Sequence, residues 1–325
     1  MDEGSDNTPQ GVGRGGHRET EKAGHVPVLL KEAIHYLAVK RGGSYLDATV
    51  GLGGHSLEIA RRLGAAGHLI GLDKDPAALE TAQRNLDAGA ADELLKGELL
   101  KNDWPKIKLL HCSFAEVKEQ LAGQKLDGLL ADVGVSSLQL DQAARGFSFQ
   151  AEGPLDMRMN PHQERTAEQV VNQVDEVTLA NLIYEFGEER RSRRIARAIC
   201  RSRPIRTTAE LADVISAAAR PMNQAERRIH PATKTFQALR IFVNHELEDL
   251  TALLEAAPKI VKPGGRVVVI SFHSLEDRIV KDAFREGAKR REFEVLTKKP
   301  VTASQDEMDR NPRSRSAKLR AAERV

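Results

Sequence analysis

Three aspartates follow short apolar runs in the first half of the chain. Asp47 closes Tyr45-Leu46, Asp73 closes His68-Leu69-Ile70-Gly71-Leu72, and Asp132 closes the run from Leu126 to Ala131. A carboxylate at a strand end projects toward the crevice where open parallel sheets bind ligands. After Asp47 comes Thr49-Val50-Gly51-Leu52-Gly53-Gly54-His55, a glycine-rich turn that lets the backbone reverse and a ligand approach closely. Such a turn by itself fits a nicotinamide dinucleotide, another nucleoside-bearing cofactor, or a loop without a ligand. Two details favour S-adenosylmethionine. Asp47 precedes the glycines, where a carboxylate can face the cationic methionine end; a pyrophosphate seated on the helix N-terminus would gain nothing from an acid there. The strict G-x-G-x-x-G pattern also fails, because Ser56 takes the last glycine position. Asp73, 22 residues after Gly51, can accept both ribose hydroxyls. Phe114, just past a third strand, can pack on an adenine ring, although a phenylalanine there is equally at home in a core.

These residues need a sheet to hold them. Strands are expected at Ser44 to Ala48, His68 to Asp73, Ile107 to Cys112, Leu126 to Asp132, Arg266 to Ser271 and Phe293 to Thr297, with Ala317 to Arg324 as a last edge strand. Helical patterns between them run over Leu29 to Val39, Ser56 to Leu63, Pro76 to Leu86 and Leu275 to Arg285. Strands alternating with helices argue for a parallel sheet with right-handed crossovers, an α/β Rossmann-like fold. The stretch from Ala88 to Lys108, with the lone Trp104, reads as a polar insertion. From Leu140 to Lys234 the rhythm changes to helices alone: Asn172 to Phe186, Glu188 to Cys200 and Thr208 to Ala219. A single helix from Thr235 to Leu254 then restores the α/β pattern. The expected organisation is a disordered tail over 1–24, a methyltransferase domain over 25–140 and 235–325, and a helical substrate-recognition insertion over 141–234.

Composition narrows the class further. The chain has 325 residues, 40% of them hydrophobic, enough for a substantial core. Its 49 basic and 47 acidic side chains nearly cancel, so local charge must decide the partners. Cys112 and Cys200 stand far apart, which supports neither a disulfide scaffold nor a zinc site, and no metal-ligand cluster is apparent. No apolar run approaches the about 18 residues of a membrane span, and the N-terminus has no signal-peptide pattern, so a cytoplasmic location is expected.

Amino-group methyltransferases commonly carry an acid or amide, two prolines and an aromatic after the fourth strand. Here the segment is Asp132-Val133-Gly134-Val135-Ser136-Ser137-Leu138-Gln139-Leu140-Asp141. With His25 to Leu29, Asp47 to Ser56, Gly153 to Met159, Gly187 to Arg190, Lys234 to Arg240 and Ile270 to Arg278, it closely resembles the bacterial small-subunit ribosomal RNA (cytosine-N4)-methyltransferases. The resemblance spans about His25 to Val325. It implies a class I methyltransferase fold, S-adenosylmethionine as cofactor, and a cytidine in the decoding centre of 16S ribosomal RNA as target, within the small subunit. It also implies cofactor contacts at Gly53, Gly54, His55, Asp73, Phe114, Asp132 and Gln139, beside Asp47 and Gly51 from the turn. Cytosine N4 is a weak nucleophile, so acceptors that hold its hydrogens are needed. Asp132 or a backbone carbonyl beside it is the candidate, with Ser136 and Ser137 shaping the pocket; the alternative is that Asp132 only orients cofactor.

Between Arg190 and Arg206 there are eight arginines. Arg190, Arg191, Arg193, Arg194, Arg197 and Arg201 are the expected RNA contacts, since guanidinium forks suit phosphates. A solvated helix paired with Glu185, Glu188 and Glu189 would look the same. Arg310, Arg313, Arg315, Lys318 and Arg320 form a second basic group, and Asp156 with Arg158 reads equally as part of the RNA surface or as an internal ion pair. Other readings of the whole chain are a methyltransferase of DNA or another RNA, and an RNA-binding ribosome assembly factor without turnover. The oligomeric state is open, a homodimer among the forms to consider.

Overall fold

The structure is a computed structural model that describes residues 27–96, 103–220 and 230–325. The expected disordered tail, and His25 and Val26 of the opening motif, lie outside the described residues. Seven strands form one sheet: β1 (Ser44–Asp47), β2 (His68–Asp73), β3 (Lys106–His111), β4 (Leu126–Asp132), β5 (Val261–Ser271), β6 (Phe293–Val295) and β7 (Lys318–Arg324). Their order is β3-β2-β1-β4-β5-β7-β6. β1 to β5 pair parallel, while β7 runs antiparallel to both β5 and β6. Two expectations are corrected here: the sheet is mixed, and the last strand is not its edge. Leu319, Ala321 and Ala322 are all fully buried, so β7 needs cover on both faces and both sides, and it slots between β5 and β6.

Adjacent residues of the central strands feed opposite cores. Tyr45, Leu69, Leu130 and Val268 join α1 (Leu30–Leu37) and α2 (Gly54–Leu63) on one face. Leu46, Ile70, Leu129 and Val267 meet the other layer. The chain reverses direction from the centre of the sheet between β1 and β4, so a crevice opens beyond their carboxyl ends. β1 pairs with β2 and β4 along Asp47↔Gly71 and Asp47↔Leu130, which brings the ends carrying Asp47, Asp73 and Asp132 side by side.

α3 (Pro76–Leu95) is longer than its pattern suggested. It runs nine residues past Leu86: Ala88, Ala90 and Ala91 are strong helix formers, the weak former Gly89 sits where a Cβ would strike Leu57 at 2.4 Å, and Arg61 from α2 pairs with the buried Glu93 at 2.9 Å. The expected polar insertion from Ala88 is therefore helix in its first part, and 97–102 lie outside the described residues. After the short α4 (Val117–Gln120) and α5 (Ser137–Asp141) come α6 (Ala167–Gln173), α7 (Glu176–Gly187), α8 (Ser192–Arg201) and α9 (Thr208–Ala218). The single helix expected over Asn172 to Phe186 is broken by Asp175, whose side chain accepts from Val177 and Thr178 N–H and starts α7 afresh. α8 starts at Ser192, four residues later than expected.

The helix expected from Thr235 to Leu254 is likewise two: α10 (Thr233–Asn244) and α11 (Glu246–Ile260), split where His245 takes a left-handed φ of 53°. The two halves bury their apolar faces in different places. Phe236, Leu239 and Val243 of α10 pack with Leu179, Ile183, Ile195 and Leu211 in the core of the helical segment. Leu250, Leu253 and Leu254 of α11 pack on the sheet beside Phe284 of α12 (Ser274–Lys289). By packing, the changeover from helical cluster to sheet falls at His245 rather than before Thr235. α13 (Gln305–Arg310) leads back into β7, and its Glu307 accepts from Leu29 N–H at 2.7 Å. Among the described residues no helix is long and apolar enough to cross a membrane.

Candidate active site

The glycine-rich turn is braced from behind. Asp47 is 0% exposed; its Oδ1 accepts from Thr49 N–H at 3.1 Å and its Oδ2 from the Ser56 hydroxyl at 2.6 Å. Asp47, expected to face a cationic ligand, is not among the residues that line the cavity, and its two oxygens are held by Thr49 N–H and the Ser56 hydroxyl. Gly53 also stands behind the cavity wall, with φ 85° and Ala82 of α3 only 3.3 Å from where a Cβ would be. Gly54 does line it, and a Cβ there would strike Pro27 Cγ at 2.3 Å. Both glycines let α2 begin tight against its neighbours.

The cavity at the carboxyl ends of β1 and β4 gathers Gly51, Gly54, His55, Asp73, Phe114, Asp132, Ser136, Ser137 and Gln139 from the expected set. Asp73 Oδ2 accepts from Gly51 N–H at 2.8 Å and Oδ1 from Asp75 N–H at 2.9 Å, which aims the carboxylate into the cavity with lone pairs to spare. Burial pushes its pKa up to about 6, against the pull of those two N–H groups, and Asp47 is likewise pushed by burial to about 6. Phe114 begins a 3-10 turn whose N-cap is Ser113. Asp132 is fixed through its backbone, the N–H donating to Thr49 Oγ1 at 2.6 Å. Its Oδ2 lies 3.6 Å from Nδ1 of His55, whose Nε2 is 3.1 Å from the Val28 carbonyl. Oδ1 of Asp132 is buried without a hydrogen-bond partner. Burial, then the charges of Asp47 and Glu276, hold this carboxyl well above the usual range.

Ser136 and Gln139 have structural partners. They form a reciprocal capping box at the start of α5: Ser136 Oγ accepts from Gln139 N–H at 3.3 Å and Gln139 Oε1 from Ser136 N–H at 3.0 Å. Gln139 Nε2 donates to Asp75 at 3.1 Å. Ser137 differs, its buried hydroxyl having no partner.

Several residues that hold this wall were not foreseen. Asp75 accepts from Gln139, from Arg145 at 2.7 Å and from Ala77 N–H, while the other fork of Arg145 donates to the carbonyls of Arg158 and Met159. Asn244 clasps the same strap, accepting from Met159 N–H and donating to Met157 O, both at 2.7 Å. Glu246, on the cavity wall, receives both forks of Arg240 at 2.8 Å. Only Asp75 left a local signal, an aspartate before the proline that opens a helix; the others join residues 70 or more positions apart or mark an unforeseen helix break. No metal-ligand cluster was expected, yet Glu246, His273 and Glu276 bring one ligand-type atom each within 4.8 Å of one another.

On α8 the arginines divide. Arg190, Arg193, Arg194, Arg197 and Arg201 are exposed and Arg191 is half-buried, while Ile195, Ala196 and Ile199 turn inward. Arg197 pairs with Glu176 at 3.2 Å, as the solvated-helix reading would have it. Arg203, one of the eight, donates instead to the carbonyls of Val171 and Val174 and braces α6. Of the C-terminal group, Arg320 pairs with Asp277 at 2.6 Å, whereas Arg313 lines the cavity rim and pairs with Asp141 at 2.7 Å. Asp156 and Arg158 form an ion pair, 2.8 Å apart, the second of the two readings open to them.

A seven-stranded sheet with an antiparallel β7 inserted before β6, and a carboxylate-lined cavity at the ends of β1 and β4, form a Rossmann-like α/β fold, and the family match makes it that of an S-adenosylmethionine-dependent methyltransferase. Residues 22–325 match the model of the MraW methylase family, and the chain belongs to that family. It is 70% identical over 309 residues to the ribosomal RNA small subunit methyltransferase H of Koribacter versatilis, covering 95% of this chain and 96% of that one. Identity is 62% to the protein of the same name from Acidobacterium capsulatum, over 94% and 99% of the two chains. It is 50% to that of Synechococcus elongatus, over 93% and 95%.

The cavity offers a nucleoside acceptors on Asp73, Asp132 and Glu276, while Glu246 on the same wall is held by Arg240. The raised Asp73 and Asp47 values carry a pH signature. Each acid holds its proton more tightly folded than unfolded, so its stabilising protonation is complete below the ordinary carboxylate value and lost as pH rises through about 6. A ligand that needs Asp73 ionised must therefore bind less well below that value. Calorimetric titration with S-adenosylmethionine is expected to give an affinity level above pH 7 that falls by up to about tenfold per unit below pH 6. Asp73→Asn is expected to weaken binding and flatten most of this slope; a wild-type affinity unchanged from pH 7 to 5 would contradict the assignment.

Proposed function

We propose that the chain methylates the exocyclic N4 amine of a cytidine in the decoding centre of 16S ribosomal RNA. It would work in the cytoplasm on an assembled or partly assembled small subunit, as a monomer or a homodimer. The observation that carries this reading is the buried, unpartnered Oδ1 of Asp132 on the cavity wall, an acceptor waiting for a donor. The names of the relatives supply the RNA.

In this reading Asp73 holds the ribose hydroxyls, Phe114 flanks the adenine, and Gly51 and Gly54 let the backbone close on the cofactor. S-adenosylmethionine, when bound, supplies a methyl group activated by its sulfonium. Asp132 Oδ1 accepts an N4 hydrogen, which draws the nitrogen lone pair out of conjugation and toward the methyl carbon. The N–C bond would form as the methyl–sulfur bond breaks and S-adenosylhomocysteine leaves, and the N4 proton passes to Asp132, whose raised pKa makes it a competent acceptor. Ser137 offers its free hydroxyl to the base, and the Ser136–Gln139 capping box keeps that wall in place. The reading is tested by labelled methyl transfer: label is expected in small-subunit RNA and not in large-subunit RNA or DNA. Equal labelling of DNA would overturn the substrate class.

The exposed arginines of α8 give the RNA its footing. Changing Arg193, Arg194, Arg197 and Arg201 together to Gln is expected to weaken small-subunit RNA binding and lower the slope of log K against log salt by about 3. KM should rise more than kcat falls. An unchanged salt slope would assign these arginines to solvent alone.

A further inference from the structure

His273 and Glu276 are bound to one another at the start of α12 in a way that leaves two polar atoms over. His273 Nδ1 accepts from Glu276 N–H at 3.4 Å, capping the helix. Glu276 Oε2 accepts from the N–H groups of Phe272 at 2.8 Å and His273 at 3.2 Å. What remains is Oε1 of Glu276 and Nε2 of His273, 3.0 Å apart and out of line, so that neither has a hydrogen-bond partner. Their side chains are 1% and 10% exposed. Glu276 forms part of the cavity wall that also holds Asp132.

A cation shared with Glu246 would satisfy these atoms, but two features oppose it. Nδ1 accepts a backbone N–H, so the proton of the neutral ring resides on Nε2, which makes that atom a donor and not a metal ligand. Glu246 is already neutralised by both forks of Arg240. Burial pushes the Glu276 carboxyl up, but the His273 ring, Arg240 and the Phe272 N–H together pull it below its ordinary value, so it stays an acceptor. Glu276 on the cavity wall therefore carries an acceptor, with the His273 donor 3.0 Å from it, both buried and neither with a hydrogen-bond partner.

We infer that His273 and Glu276 read the Watson–Crick edge of the target base, Nε2–H donating to a ring nitrogen and Oε1 accepting from the adjacent exocyclic amine. This rests on the cytidine reading above and gives it a chemical filter. Cytosine N3 and N4, like adenine N1 and N6, fit the pair; uracil and guanine carry the opposite pattern and would set donor against donor and acceptor against acceptor. With one N4 hydrogen on Glu276, the other is left for Asp132.

The test uses the full chain saturated with S-adenosylhomocysteine, titrated with cytidine and uridine monophosphates. Wild type is expected to prefer cytidine by about tenfold or more. Glu276→Gln should abolish that preference, because its carbonyl must face the two backbone N–H groups and its NH2 then replaces the acceptor Oε1 with a donor. His273→Asn keeps a helix cap but removes Nε2–H, and should cut the preference while leaving S-adenosylhomocysteine affinity unchanged. A wild type without preference, or both variants keeping it, would overturn the inference. Methyl transfer to cytidine N4 by wild type in that same case would leave the proposed reaction standing, whereas its absence would remove both.

Discussion

Asp132→Asn is expected to lower methyl transfer by about 10²- to 10⁴-fold while S-adenosylmethionine affinity stays within a few-fold. The substitution keeps the shape of the side chain and the backbone bond from residue 132 to Thr49 Oγ1. What it removes is the capacity of a buried, unpartnered oxygen to take up a proton at the cavity wall. The stability of this variant should move the other way. Burial and the neighbouring acids hold the Asp132 carboxyl well above its usual value, so its protonated form supports the fold at low pH and that support is lost as pH rises through the raised value. Asparagine has no charge to bury, so Tm should gain on wild type at pH 8 and differ little at pH 5. Single-turnover methylation and thermal melts at the two pH values check both halves. Turnover within tenfold of wild type would reduce Asp132 to an element of cofactor orientation.

Asp75→Ala is expected to cost about 3–5 kcal/mol of stability, the largest loss of any single substitution around the cavity. Asp75 is 1% exposed and accepts from three partners: Ala77 N–H, which starts α3, Gln139 Nε2 and Arg145. Removing the carboxylate leaves the Arg145 guanidinium mostly buried without its counter-charge, and also deletes a helix cap worth about 1 kcal/mol. For a chain of this size the melt should fall by roughly 4–7 °C. Because Gln139 and the 157–159 strap share this centre, KM for both substrates should rise even well below the melt. Asp75→Ala with Arg145→Met should recover part of the loss, since the stranded charge is then gone. Urea titrations of the single and double variants measure it; a single-variant loss below about 1 kcal/mol would show that solvent replaces the carboxylate.

What the sequence made visible was local. Strand, turn and helix follow one another within a few residues, so the strand ends bearing Asp73 and Asp132, and the glycine turn, could be read from apolar runs and punctuation. Asp47 was visible too, but not its direction: the Ser56 hydroxyl that turns it inward occupies the position whose lost glycine seemed only to argue against a dinucleotide. The arginine run was plain, yet nothing local separates Arg203, which ties down two carbonyls of the α6 end, from its exposed neighbours. Two breaks escaped for a related reason. His245 takes a left-handed conformation without being glycine, and Asp175 caps a helix from inside an apparently continuous pattern. β7 has the pattern of any short strand, and only the two-sided burial of Leu319 and its neighbours places it inside the sheet. The network of Asp75, Arg145, Asn244, Glu246 and Arg240 joins segments far apart in the chain, and no periodicity carries such pairings. The nucleoside target came from the resemblance of long motifs; the sheet positions the chemistry without specifying the base.

Which atom receives the methyl group decides the reaction. Purified protein incubated with radiolabelled S-adenosylmethionine and unmodified small ribosomal subunits, followed by digestion to nucleosides, gives the answer directly. Label in N4-methylcytidine, lost with Asp132→Asn, is the expected result. Label in a carbon-methylated cytidine or in any other nucleoside would contradict it, because the acceptor at Asp132 is argued to serve an exocyclic amine and nothing else.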